Sequence, residues 1–292
     1  MCVTPIRSMI ALAGLLMLTA CGGVAARHEV RSALVANADW QSGVVQAGLF
    51  DIAASWSQVT TGETLFVYLE GDGLAYVTVY RPAQDPTPSD PVALRMAVQD
   101  IHSAGKAAQP VLYLARPCQY TLPEHGRNCS RKYWTTGRYA PEIVASLSMA
   151  LDQFKQRFQA RHIVLVGYSG GGALAVLLAS ERSDVTGIVT VVGNLDLAYW
   201  AQRDGLTPLS GSIDPADVAP KIANIAQLHL AGGRDDAVGP DVTQAYMAAL
   251  PAGAKVEMLG FDQYDHHCCW ARDWREISQR PEFSRIPYWS TP

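Results

Sequence analysis

No basic cluster interrupts the mixed charges of the 292-residue chain: 23 Lys and Arg stand against 27 Asp and Glu, for a formal net charge of -4. Without such a patch nothing prepares a surface for nucleic acid, and that class of partner is set aside. The apolar run over residues 9–18 falls short of a comfortable bilayer span. No cysteine pair at C-x-x-C spacing and no histidine pair at H-x-x-x-H spacing accompanies the adjacent His266, His267, Cys268 and Cys269, so a metal cage lacks convergent ligands and none is expected. Internal repeats and low-complexity tracts are also missing, and the ordinary composition excludes a solenoid, a collagen or a disordered chain. What remains is a length suited to one large α/β domain.

The N-terminus carries Arg7, then the short apolar run, then Leu18-Thr-Ala-Cys21. Charge, apolar core and small residues in that order read as a secretory leader over residues 1–20. Leu-Thr-Ala-Cys resembles the bacterial lipobox, which implies lipidation of Cys21, a membrane partner through that lipid, and an exported lipoprotein of the cell envelope. Gly22 gives no aspartate-type retention signal, which favours the outer membrane facing the periplasm. Residues 21–43 lack a sustained period and are expected to form a tether or irregular extension, with the domain over residues 44–292. Beyond Cys2 and Cys21, four cysteines remain, Cys118, Cys129, Cys268 and Cys269, and an even number in an exported chain suggests disulfides. Pairing of Cys118 with Cys129 closes a short loop and is preferred; Cys268 and Cys269 then form a vicinal bridge or stay free, while the exchanged pairings would pin the loop to the C-terminal region.

Strand-like and helix-like stretches alternate. Strands are expected over residues 45–54, 64–69, 109–115, 163–168, 187–192, 225–231 and 255–259, and helices over 92–102, 141–159, from 173 onward, and 242–250. Residues 200–220 read as irregular. Such alternation implies a mostly parallel central sheet with helices on both faces.

One corner stands out. Gly167-Tyr-Ser-Gly-Gly171 follows a run of branched apolar residues and precedes a good helix former, so Ser169 sits where a strand turns into a helix, the arrangement of a nucleophile elbow. A serine hydroxyl needs a base to take its proton and a third group to orient that base. Downstream, the strand at 225–231 runs into Gly232-Gly-Arg-Asp-Asp236, and the last strand runs into Asp265-His-His267. An acid and a histidine thus follow the serine in the order that acyl transfer uses. The acid is Asp235, Asp236 or the earlier Asp196; the base is His266 or His267. Tyr120, Tyr133, Trp134, Tyr168, Trp200, Tyr264 and Trp270 are candidates to line an apolar pocket, whereas His229, among apolar neighbours, reads as structural.

On these motifs, from about residue 45 to the C-terminus, the chain resembles an α/β-hydrolase-fold serine esterase. The resemblance implies the α/β-hydrolase fold, hydrolysis of a small-molecule ester or acyl substrate through an acyl-enzyme, and no cofactor. The family's Gly-x-x-Asp-x-x-Val pattern points to Asp235 as the acid, and its common Asp-His ending to His266 as the base. The oxyanion donors implied are the backbone N–H groups of Gly170 and Asp72. At the second of these, relatives often carry His-Gly, but this chain has Glu70-Gly-Asp-Gly73, which sets a carboxylate beside a developing negative charge unless Arg116 or Arg81 pairs with it. Residues 200–220 lie where many relatives insert a cap. A serine peptidase or thioesterase uses the same triad, and a catalytically inactive, lipid-anchored binding protein is the alternative from another class.

Overall fold

The computed structural model describes residues 9–78, 80–105, 107–122 and 126–289, with side chains from Gly23 onward. The first eight residues of the expected leader, the remaining leader side chains and the side chain of Cys21 lie outside the described residues. Helix α1 (Met9–Asn37) opens the described chain, so residues 22–37 are helical where an irregular extension is expected. Its order comes from tertiary contact, not from period. Arg27 donates to the carbonyls of Asp85 and Thr87, Arg31 donates to the Ala54 carbonyl and the Ser55 hydroxyl, and Val35 is buried. Among the described residues no helix is long and apolar enough to cross a membrane.

The single strand expected over 45–54 is two, β1 (Gln41–Ala47) and β2 (Phe50–Trp56), paired antiparallel. Gly48 makes the tight connection at φ +54°, a conformation glycine adopts without strain. Strand β3 (Thr64–Leu69) leads to a small hairpin of β4 (Tyr76–Thr78) and β5 (Arg81–Pro82). Helix α2 (Val92–Ala97) stops short of residue 102, because Asp100 accepts from the His102 N–H and starts a separate 3-10 turn over Ile101–Ser103. Then come β6 (Val111–Leu114), α3 (Pro141–Phe158), β7 (His162–Tyr168), α4 (Gly170–Glu181) and β8 (Val185–Val191). The segment at 200–220 is not irregular throughout: it holds the end of α5 (Leu197–Asp204) and all of α6 (Pro215–Val218). The Asp196 carboxylate caps α5 at the Tyr199 N–H, and Asp214 accepts from the Leu197, Ala198 and Ala216 N–H groups. Strand β9 (Ala226–Gly232), α7 (Pro240–Ala248), β10 (Val256–Phe261) and α8 (Trp270–Ile277) complete the order. In α8, Trp270, Trp274 and Ile277 are buried at helical spacing.

Eight strands form one sheet in the order β1-β2-β6-β3-β7-β8-β9-β10. Pairing is antiparallel at the β1-β2 and β2-β6 steps and parallel from β6 to β10. Side-chain alternation divides the central strands between two cores. Leu65, Val67, Ile163 and Leu165 join the cluster with α3 and α4, while Phe66, Tyr68, Val164 and Val166 join the one with α2 and α8. Burial on both faces is why these strands read as continuous apolar runs. The parallel order sends the C-terminal ends of β3, β7, β9 and β10 to one edge of the sheet, where the loops of interest emerge.

Candidate active site

Ser169 stands between β7 and α4 with φ +51° and ψ -120°. A residue other than glycine held there stores about 1–3 kcal/mol of backbone strain, and the surrounding packing sustains it. Glycine at 167 is required by that turn: a Cβ there would lie 2.2 Å from the carbonyl oxygen of Gly171.

His266, in the loop after β10, reaches the corner with Nε2 3.0 Å from the Ser169 hydroxyl oxygen. Its Nδ1 lies 2.8 Å from Asp235 Oδ2. The other oxygen of Asp235, in the loop after β9, accepts the N–H groups of Ala237 at 2.9 Å and Val238 at 2.8 Å, so the carboxylate is fixed in direction and its side chain is fully buried. The His266 backbone is held by the Tyr168 hydroxyl, which donates to its carbonyl at 2.9 Å. Asp265 steadies the same loop by accepting the His267 and Cys268 N–H groups. Serine, histidine and carboxylate from three separate loops therefore form one hydrogen-bonded series.

The alternatives stand elsewhere. His267 Nδ1 lies 3.3 Å from the Tyr168 hydroxyl, Asp236 is exposed, and Asp196 caps α5. His229 is buried with Nδ1 2.8 Å from the Thr190 hydroxyl, and burial pushes its imidazole down to about 3.

The Glu70-Gly-Asp-Gly73 loop lies across the corner from Ser169. Asp72 is paired, and by two guanidiniums: Arg116 and Arg138 both donate to its carboxylate, and the Tyr139 hydroxyl adds a third donor at 3.0 Å. Arg116 was one of the two expected partners; Arg81, on exposed β5, takes no part. Sequence reasoning missed Arg138, 66 residues from Asp72, and Tyr139 beside it, because no local pattern links them to the loop. Burial opposes the charge on Asp72, but the Arg138 and Arg116 guanidiniums outweigh it and hold the carboxyl well below the usual range. The neighbouring Glu70 behaves in the opposite way. Burial pushes it up to about 7, although it accepts the N–H groups of Gly71 and Ala93 and the Tyr113 hydroxyl. Gln119 completes the frame by donating to the Gly71 carbonyl at 3.0 Å. Asp72 packs so closely that a Cβ on Gly170 would lie 2.1 Å from Oδ1 of its carboxylate. Among the described residues, neither the Gly170 nor the Asp72 N–H donates to a protein acceptor.

These groups border an open groove of about 430 Å³. Its walls come mainly from residues 70–76 and 88–92; of residues 200–220, expected as the cap, Trp200 alone takes part. Of the seven candidate aromatics, Tyr168 and Trp200 line it, while Tyr120, Trp134 and Trp270 are buried in the body. Among the described residues no group of three or more His, Cys, Asp or Glu converges to hold a metal ion. The sulfurs of Cys118 and Cys129 are within bonding distance, their Cα atoms 5.6 Å apart, and so are those of Cys268 and Cys269.

No protein-family model matches the chain, and no curated protein matches it in sequence. Solved structures do match. The esterase Pf2001 of Pyrococcus furiosus superposes with a TM-score of 0.58 at 13% identity, covering 86% of this chain and 92% of its own. XC6422 of Xanthomonas campestris, described as an a/b serine hydrolase without lid, gives 0.56 at 12% identity over 87% of this chain and 97% of its own. Est1E of Butyrivibrio proteoclasticus gives 0.56 at 12% identity over 81% and 95%. The chain has the α/β-hydrolase fold. At this identity the likeness speaks for the α/β-hydrolase architecture alone, and the chemistry must be argued from the site.

Proposed function

We propose that the chain is a serine hydrolase that cleaves a carboxylic ester through an acyl-enzyme. The observation that carries this reading is the series from the Ser169 hydroxyl through His266 to buried Asp235, at the floor of an open groove. His266 Nε2 takes the hydroxyl proton as Ser169 Oγ bonds to the ester carbonyl carbon, and Asp235 orients the ring and stabilises the imidazolium. The unengaged N–H groups of Gly170 and Asp72 receive the oxyanion. The Arg116 and Arg138 pair removes the objection that the Asp72 carboxylate raises, since it gives that charge partners of opposite sign. Collapse of the tetrahedral adduct breaks the ester C–O bond and returns the proton from His266 to the leaving alkoxide. Water then repeats the cycle on the acyl-serine.

The leader over residues 1–20, the lipid on Cys21, the placement in the cell envelope and the oxidation of the cysteine pairs belong to the same proposal. The test of the chemistry is fluorophosphonate labelling and p-nitrophenyl ester hydrolysis for the wild type beside Ser169→Ala and His266→Ala. Labelling and turnover in the wild type that vanish in both folded variants are expected. Full activity in Ser169→Ala would overturn the reading.

A further inference from the structure

Nine large apolar side chains are exposed among the described residues, and three of them, Tyr76, Val77 and Tyr80, share the β4-β5 hairpin and its tip. They are 38%, 50% and 94% exposed. The hairpin is built. Tyr76 pairs with Pro82 and Thr78 with Arg81, the Ala83 N–H donates to the Ala75 carbonyl at 3.0 Å, and Trp134 Nε1 donates to the Ala83 carbonyl at 3.1 Å. Its inner end, at Leu74, Ala75 and Tyr76, forms part of the groove wall. Exposing apolar surface in a fixed position is unfavourable in water, and such a patch beside a groove points to an occupant.

We infer that the hairpin tip docks on a neutral or zwitterionic lipid surface and brings the groove to an ester carried there. Three observations favour lipid over a protein. The exposed area of Tyr76, Val77 and Tyr80 together is on the order of a few hundred Å², well under the roughly 800 Å² per partner of a stable protein complex. A protein seated on the tip would also cover the groove where Tyr76 borders it, whereas a lipid layer supplies substrate through the same opening. The third is charge. Arg81 is the one charged residue in the stretch 74–82, and the whole chain carries a net charge of -4, so no basic patch selects an anionic surface. Tyrosines suit this role because the ring is apolar and the hydroxyl remains wet. The N-terminal helix arrives at the same place: Arg27 of α1 holds the carbonyls of Asp85 and Thr87, just before Ser89 and Asp90 on the groove wall. The lipid on Cys21 proposed above, six residues before Arg27, would hold this edge near a bilayer.

The docking surface stands by itself; the identity of its cargo rests on the ester-hydrolase reading. The test uses the full-length chain reconstituted in phosphatidylcholine vesicles. Tyr80→Trp should add emission that brominated phosphatidylcholine quenches, and added emission that is unquenched would overturn the proposal. In Val77→Ser/Tyr80→Ser, turnover of soluble p-nitrophenyl butyrate should stay within twofold of wild type. Turnover of dioleoylglycerol carried in the vesicles should fall tenfold or more. An equal fall on both substrates would show that the tip shapes the groove instead, and loss of a concentration-dependent dimer in the double variant would assign the surface to a second copy. A wild type that turns over neither substrate defeats the ester-hydrolase reading, while the quenching still decides the docking.

Discussion

The carboxylate at Asp72 offers the sharpest test of how the loop opposite Ser169 is held. Asp72→Asn keeps the shape of the side chain but removes its charge and one of its acceptor oxygens. Arg116, Arg138 and Tyr139, all buried, then surround a neutral amide that cannot satisfy both guanidiniums. Breaking a buried ion pair by removing one partner costs about 3–5 kcal/mol, which lowers the folding equilibrium constant by roughly 150-fold or more. The sign with pH follows from the depressed carboxyl. Its contribution is full above the ordinary value of 3.8 and is lost as pH falls below it. Urea unfolding of wild type and Asp72→Asn should therefore show a gap of about 3–5 kcal/mol at pH 7 that narrows by about 1.4 kcal/mol per pH unit below 3.8. A gap under about 1 kcal/mol at pH 7 would mean that the pair is not what fixes the loop. A gap that does not change in acid would mean that the carboxylate charge is not its source.

Gly170→Ala should lower ester turnover by about 100-fold or more, the usual cost when an oxyanion donor is put out of position, because its Cβ collides with Asp72 Oδ1 at 2.1 Å and the Tyr139 hydroxyl at 2.7 Å and the N–H must shift. Steady-state kinetics on a p-nitrophenyl ester checks it, and wild-type turnover would show that Asp72 and Tyr139 yield to the added methyl and do not hold the donor in place. Glu70→Gln acts through pH. A carboxyl raised to about 7 from 4.5 contributes stability that is full below 4.5 and lost as pH rises through about 7. Wild type should lose roughly 2–3 kcal/mol relative to Glu70→Gln between pH 5 and pH 8 in urea unfolding, and parallel curves would show that Glu70 is ionised throughout.

How much of this was legible in the sequence depends on how far each signal reaches along the chain. The central strands could be read because both faces are covered and their apolar runs are unbroken, as in residues 163–168. The corner at Ser169 and the acid after β9 were legible because each follows such a strand, whereas the histidine follows the partly exposed edge strand β10 and was legible from its place in the chain order. Helix α1 was not, since Arg27 and Arg31 order it through carbonyls at 54, 85 and 87. The split of β1 from β2 depends on Gly48, which the apolar pattern across residues 45–54 conceals. Arg138 escaped for a different reason: a guanidinium in a loop carries no periodicity, and only the folded chain brings it to Asp72.

The groove is put together from two parts of the chain with separate duties. Ser169, Asp235 and His266 follow β7, β9 and β10, whereas most of the wall belongs to residues 70–76 and 88–92, and outside residues 70–73, which carry the Asp72 N–H proposed as an oxyanion donor, the two sets share no segment. Substrate preference and reactivity can therefore diverge independently over evolutionary time. For directed evolution, a library confined to residues 74–76 and 88–90 searches new specificities while every reacting side chain stays unmutated.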